Sequence, residues 1–86
     1  MQDAKKKYIL KALSKATLKL RGNKSRYMLS AEYDIPYSVL NYIENEDKDP
    51  QLTTLFKLAR AFDLSISEFM KEIEKELPKN FSAIDE

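Results

Sequence analysis

The sequence predicts an all-α fold, a compact bundle of five helices. Three observations carry that prediction. Apolar residues recur at spacings of three and four along most of the chain. Stop and cap residues of helical type separate the periodic segments: Gly22-Asn23, Asp34-Ile35-Pro36, Pro50, Asp63-Leu64-Ser65 and Pro78. No period-two alternation and no Asn-Gly or Asp-Gly hairpin signal occurs, so no sheet is expected.

The first helix is expected from Asp3, as N-cap, to Arg21. Its inward residues are Ile9, Leu10, Leu13, Ala16, Thr17 and Leu20, and Gly22-Asn23 stops it. Ser25 can cap a second helix over residues 26–33, with Leu29 and Tyr33 facing inward. Pro36 disfavours αR at Ile35 but suits the first turn of a new helix. That third helix runs over residues 36–45 with Leu40 and Ile43 inward, which leaves Tyr37, Ser38, Asn41, Tyr42 and Asn45 outward. A polar loop at 46–50 precedes a fourth helix over 51–62, whose apolar stripe is Leu52, Leu55, Leu58, Ala59 and Phe62. Ser65 and Glu68 then form a capping box, with Leu64 and Phe69 as its hydrophobic staple. The fifth helix carries Ile66, Phe69, Met70, Ile73 and Leu77, and Pro78 closes it. Residues 1–78 read as a single domain and 79–86 as a loose C-terminal tail.

Composition narrows the function. A chain of 86 residues holds one small core. It contains no Cys and no His, which excludes disulfide scaffolds, thiolate zinc sites and the commonest general base. One glycine cannot build a dinucleotide fingerprint or a phosphate loop. No enzyme, cofactor or metal is therefore expected. The acidic stretch at 44–49 lacks the ligand spacing and turn glycine of a calcium loop. The net charge of +1 conceals a split: residues 1–27 hold nine Lys/Arg and one Asp, whereas 28–86 hold six Lys/Arg and thirteen Asp/Glu. Such a split points to one surface built for an anionic partner. No membrane-spanning run and no export signal occurs, because Lys11 and Lys15 cut short the apolar stretch after Lys7, so a cytoplasmic protein is expected.

The second and third helices are short and are joined by a few residues, the geometry of a helix-turn-helix. Such a unit leaves its second helix free to enter a DNA major groove, about 12 Å wide. The residues extend the pattern. The second helix begins Ser25-Arg26-Tyr27-Met28-Leu29-Ser30, the turn is Asp34-Ile35-Pro36, and the third helix ends Leu40-Asn41-Tyr42-Ile43-Glu44. Pro50 follows six residues after Glu44, and the run from Leu52 to Ser65 reads Leu-x-x-Leu-x-x-Leu-Ala-x-x-Phe-x-Leu-Ser. Over residues 19–70 the chain resembles the Cro/cI-like (Xre-type) helix-turn-helix family, whose fold is that of a lambda-repressor-like DNA-binding domain.

The resemblance implies roles. Tyr37, Ser38, Val39 and Tyr42 stand where the family contacts bases. Lys24, Arg26, Asn45 and Lys48 stand where it contacts phosphates. Glu44 matches an acid that pairs with a base of the first helix; the ungapped register offers Lys19 and a shifted one Arg21. Relatives commonly bind as homodimers, and Met70, Ile73 and Leu77 could contribute to that contact. The chain departs from the family at two turn glycines, replaced by Asp34 and Glu46, so Asp34 must tolerate αL and the third helix is expected to end differently at Glu46. No Gln, Arg or Lys lies between Pro36 and Glu46, and Glu44, Glu46, Asp47 and Asp49 outnumber Lys48 beside the expected phosphate path. The implied function is sequence-specific binding of double-stranded DNA by a small transcriptional regulator. A domain that occupies a promoter can repress without any effector module, so a repressor is expected. The alternative is a protein-interaction module on the same scaffold, an antitoxin or assembly partner, which the acidic loop favours.

Overall fold

The computed structural model describes residues 3–84, and its five helices are α1 (Asp3–Arg21), α2 (Arg26–Tyr33), α3 (Tyr37–Glu44), α4 (Leu52–Ala61) and α5 (Ile66–Glu74). No strand occurs among the described residues. α1 packs against α3 and α5, α2 packs against α3 and α4, and α4 packs against α5. The arrangement closes on one core of Leu13, Ala16, Leu29, Ile35, Leu40, Ile43, Leu58 and Phe69, with Ala12, Ala59, Ala61 and Ile73 filling between them. α1 begins at Asp3, whose expected capping side chain lies outside the described part of the structure.

Local chemistry sets the helix starts. The Ser25 hydroxyl accepts from the Met28 N–H at 3.1 Å, satisfying one orphan donor of α2. At α5 the box is reciprocal: the Ser65 hydroxyl accepts from Glu68 N–H at 3.2 Å, and the Glu68 carboxylate accepts from Ser65 N–H at 2.8 Å. The backbone N–H of Ser65, and then its hydroxyl, hold the Glu68 carboxyl below the usual glutamate range.

Helix ends use left-handed residues. Gly22 (φ 55°) follows α1 and donates to Leu18 C=O at 3.2 Å. Asp34 takes φ 54° and ψ 46° after α2, so it does adopt αL. After α3, Glu46 sits at φ 60°; its N–H donates to Ile43 C=O at 3.2 Å and that of Asp47 to Tyr42 C=O at 2.9 Å. These two bonds complete a Schellman motif with glutamate at the position usually held by glycine. The different ending expected at Glu46 therefore does not occur: the carbonyl partners fix the turn, and the side chain accepts αL. Asp63 (φ 62°) closes α4 with the same pair of bonds, its own N–H donating to Arg60 C=O and that of Leu64 to Ala59 C=O.

Several expected positions shift. α5 ends at Glu74 rather than near Leu77, because Pro78 opposes αR at Leu77. The last carbonyls, of Ile73 and Glu74, are met instead by the tighter bonds of Glu76 and Leu77 N–H. Leu52, expected on the inner stripe of α4, is exposed because it opens the helix at the edge of the bundle. Ala12 and Ser14 on α1 and Ile35 in the turn are buried, although the periodicity did not mark them. After α5 the chain returns along α1, where the Phe81 ring meets Tyr8 edge-on at 6.0 Å and Lys5 lies over its face.

Candidate nucleic-acid interface

The outer face of α3 is built by what the inner face holds. Leu40 and Ile43 are fully buried, and Ile35 seats the preceding turn in the core. At about 100° per residue, Tyr37, Asn41, Asn45 and Ser38 then share one outward arc. All four are exposed. Val39 and Tyr42 flank the buried stripe and are half-buried against the core, so they are not the free outward residues expected of base contacts. Lys48 further covers the Tyr42 ring, with Nζ 5.8 Å from its centre. Of the four expected base contacts, Tyr37 and Ser38 face outward without reservation, and Asn41 takes the centre of the face.

One carboxylate positions this helix. Glu44, its side chain only 6% exposed, accepts from Arg21 Nε at 2.7 Å and Arg21 Nη2 at 3.2 Å. Arg26 Nε stands 3.5 Å from Glu44 Oε1, the oxygen that Arg21 Nη2 also meets. The Glu44 backbone C=O also accepts from the buried Ser14 hydroxyl at 2.9 Å. Glu44 thus ties α3 to both α1 and α2. Its partner on α1 is Arg21, not Lys19. Helix geometry gives the reason: Arg21 is seven residues after Ser14 and so on the same face, whereas Lys19 is rotated well away and exposed. A buried polar Ser14 at that spacing from Arg21 was the signal that decides the register.

Arg26 is committed before any partner arrives. It donates from Nη1 to Asn41 Oδ1 at 2.7 Å, and its guanidinium lies 5.4 Å from the centre of the Tyr37 ring. Asn45 Nδ2 donates to the same Asn41 oxygen at 3.3 Å. The outer face is therefore a linked set (Arg26, Tyr37, Asn41, Asn45) with its rotamers restrained. Such restraint lowers the entropy lost on binding. The Arg26 side chain keeps 32% exposure, so part of its donor fork still meets solvent.

The flanks carry the remaining expected phosphate contacts. Lys24 is exposed, and its backbone C=O accepts from Arg21 Nη1 at 2.8 Å, which fixes the loop before α2. Lys48 and Asn45 are exposed beyond the end of α3, together with Glu46, Asp47 and Asp49. Lys57 of α4 reaches the turn and donates to the Asp34 C=O at 3.0 Å, close to the Asp34 carboxylate at 3.3 Å. Tyr27 and Met28, given no role by the sequence reading, stand exposed next to Arg26 in the first turn of α2. Of the three expected dimer residues, Ile73 is buried in the core and Leu77 packs partly against it, while Met70 is exposed.

Among the described residues no group of acidic side chains is arranged to hold a metal ion, and no helix is long and apolar enough to cross a membrane. Comparison with curated proteins and with solved structures finds no match. A family model of helix-turn-helix domains matches residues 15–69, a span that contains the end of α1, all of α2, the turn, α3 and α4, and the start of α5. With that match over more than half of its length, and with five helices in this order, the chain belongs to the helix-turn-helix family of the Cro/C1 (Xre-like) type, a family of DNA-binding regulatory domains.

Proposed function

We propose that this protein is a sequence-specific binder of double-stranded DNA that acts as a small transcriptional regulator, with α3 in the major groove. The observation that carries the reading is the exposed face of Tyr37, Ser38, Asn41 and Asn45, on a helix that Glu44 and Arg26 hold in place. Ser38 offers a donor and an acceptor to base edges, and Asn41 offers the donors of its Nδ2, its Oδ1 being engaged by Arg26 and Asn45. Lys24, Arg26 and Lys48 supply cations at the ends of that face, where phosphates flank a groove. Val39 contributes by packing beneath the face against the core. Occupancy of a promoter suffices to repress, so repression is the mode favoured.

Regulators of this type read paired half-sites, and the reading includes a homodimer. Met70 is the exposed member of its expected contact. Sedimentation alone and with duplex tests this part; a monomer in both conditions removes the dimer.

The test of the reading is an amide-resolved NMR titration with mixed-sequence duplex at low salt. Shifts are expected to concentrate at residues 24–28, 37–41, 45 and 48. Shifts confined to α4 and α5, or none at all, overturn the reading. The exposed acids Glu46, Asp47 and Asp49 favour a protein partner as the second reading; a lack of any DNA response would move the assignment there.

A further inference from the structure

α1 starts well before the segment that matches the family, and its charge is one-sided. Between Ala4 and Arg21 it holds six lysines and one arginine with no acidic residue. Lys7, Lys11 and Lys15 recur at steps of four and are all exposed. Among the described residues none of the three takes part in an ion pair. Like charges at this spacing repel by roughly 0.2–0.5 kcal/mol per pair, so the face is mildly unfavourable on its own. A polyanion would relieve that repulsion.

The fold brings this face to the end of α3. Lys7 and Lys11 line one groove with Glu46, and Lys6 and Lys7 line the next with Glu46 and Asp47. Three lysines thus stand over the acidic loop that would otherwise oppose a phosphate backbone. From Lys7 to Lys15 the helix rises about 12 Å. The two strands of a duplex together carry one charge about every 1.7 Å of axis, so a face of this length can meet more than one phosphate.

We infer that the Lys7–Lys11–Lys15 face of α1 is a second contact surface for the DNA backbone, adjoining the α3 face and lengthening the duplex footprint beyond it. The inference rests on the DNA-binding reading above. Lys7 and Lys11 offset the acids of the loop after α3, and Lys15 continues the cationic face along α1. Contacts of this kind carry no base information, so they raise affinity on all sequences alike.

The test compares the parent with K7Q/K11Q/K15Q, and with K71Q/K75Q on α5, a helix that does not touch α3. Gln keeps helix propensity at these exposed sites, and circular dichroism checks folding. Affinity is measured by anisotropy against salt concentration, on duplexes of about 10 and 20 base pairs, one and two helical turns. The triple variant is expected to lose about 2 to 3 from the steepness of log K against log salt. It is also expected to lose the parent's gain in affinity on the longer duplex, while K71Q/K75Q keeps both. A parent that binds while the triple variant matches it in slope and length dependence overturns this inference and leaves the DNA reading standing. An equal loss in K71Q/K75Q also overturns it, because overall charge then explains the effect. A parent that binds neither duplex at low salt overturns the DNA reading and the inference together.

Discussion

At Glu44 a nearly buried carboxylate faces arginines from two other helices, and its backbone carries a bond from a third side chain. Removing one partner of such a group leaves the others uncompensated, which is strongly destabilising when burial is complete. Here Arg21 and Arg26 keep some contact with water, so the effect is smaller. Glu44→Gln is expected to lower stability by about 2 to 3 kcal/mol in urea unfolding. Thr17 offers the opposite case: it is fully buried, and its hydroxyl has no hydrogen-bond partner. Thr17→Val removes that desolvated hydroxyl at nearly constant shape and is expected to raise stability by about 1 kcal/mol, read as a higher urea midpoint. An acid at position 44 and a basic partner on α1 were legible from the motif. The partner's identity was not, because it depends on which face of α1 meets α3, and only Ser14 encodes that. Val39 and Tyr42 were misplaced for a related reason. A short helix buries an arc wider than its two best apolar positions, and the residues flanking Leu40 and Ile43 fall within it.

At the scale of the element, the caps decide. The Ser25 and Ser65 caps and the bounds of four helices were legible, because capping and helix stops act between residues a few places apart. The ends of α2 and α3 test the glycine rule: Asp34 and Glu46 hold left-handed backbone where the family has glycine. Left-handed geometry costs a residue with Cβ about 1 kcal/mol. Glu46→Gly should therefore raise the thermal midpoint, with a gain of about 1 kcal/mol at most, since glycine also adds entropy to the unfolded chain. A fall in midpoint would show that the Glu46 side chain contributes more than the strain costs. Glu68 sets a pH dependence. Its folded pKa lies below its unfolded one, so its contribution is present above the ordinary glutamate range. That contribution is lost as pH falls through the folded value. Acidification from about pH 6 to about pH 3 is expected to lower the unfolding midpoint of the parent more than that of Glu68→Gln.

At the scale of the whole molecule, the charge split takes on a shape. The counts of basic and acidic residues were legible, and so was the helix-turn-helix that divides them. That the lysines of α1 and the acids after α3 share a groove was not, because it follows from how α1 crosses α3 rather than from either segment alone. The fold explains how a chain of nearly neutral net charge can still present a cationic edge: the cations cluster along α1 and at Arg26, and Glu44 is withdrawn into the core. On the function proposed here, α3 reads sequence in the major groove. Selection of bound duplexes from a random pool at about 150 mM salt tests it most directly, since screening at that ionic strength suppresses contacts that are merely electrostatic. Enrichment of a defined site, with preference at one base position relaxed in Ser38→Ala by about 1 to 3 kcal/mol, is the predicted result. A recovered pool no different from the input would contradict it.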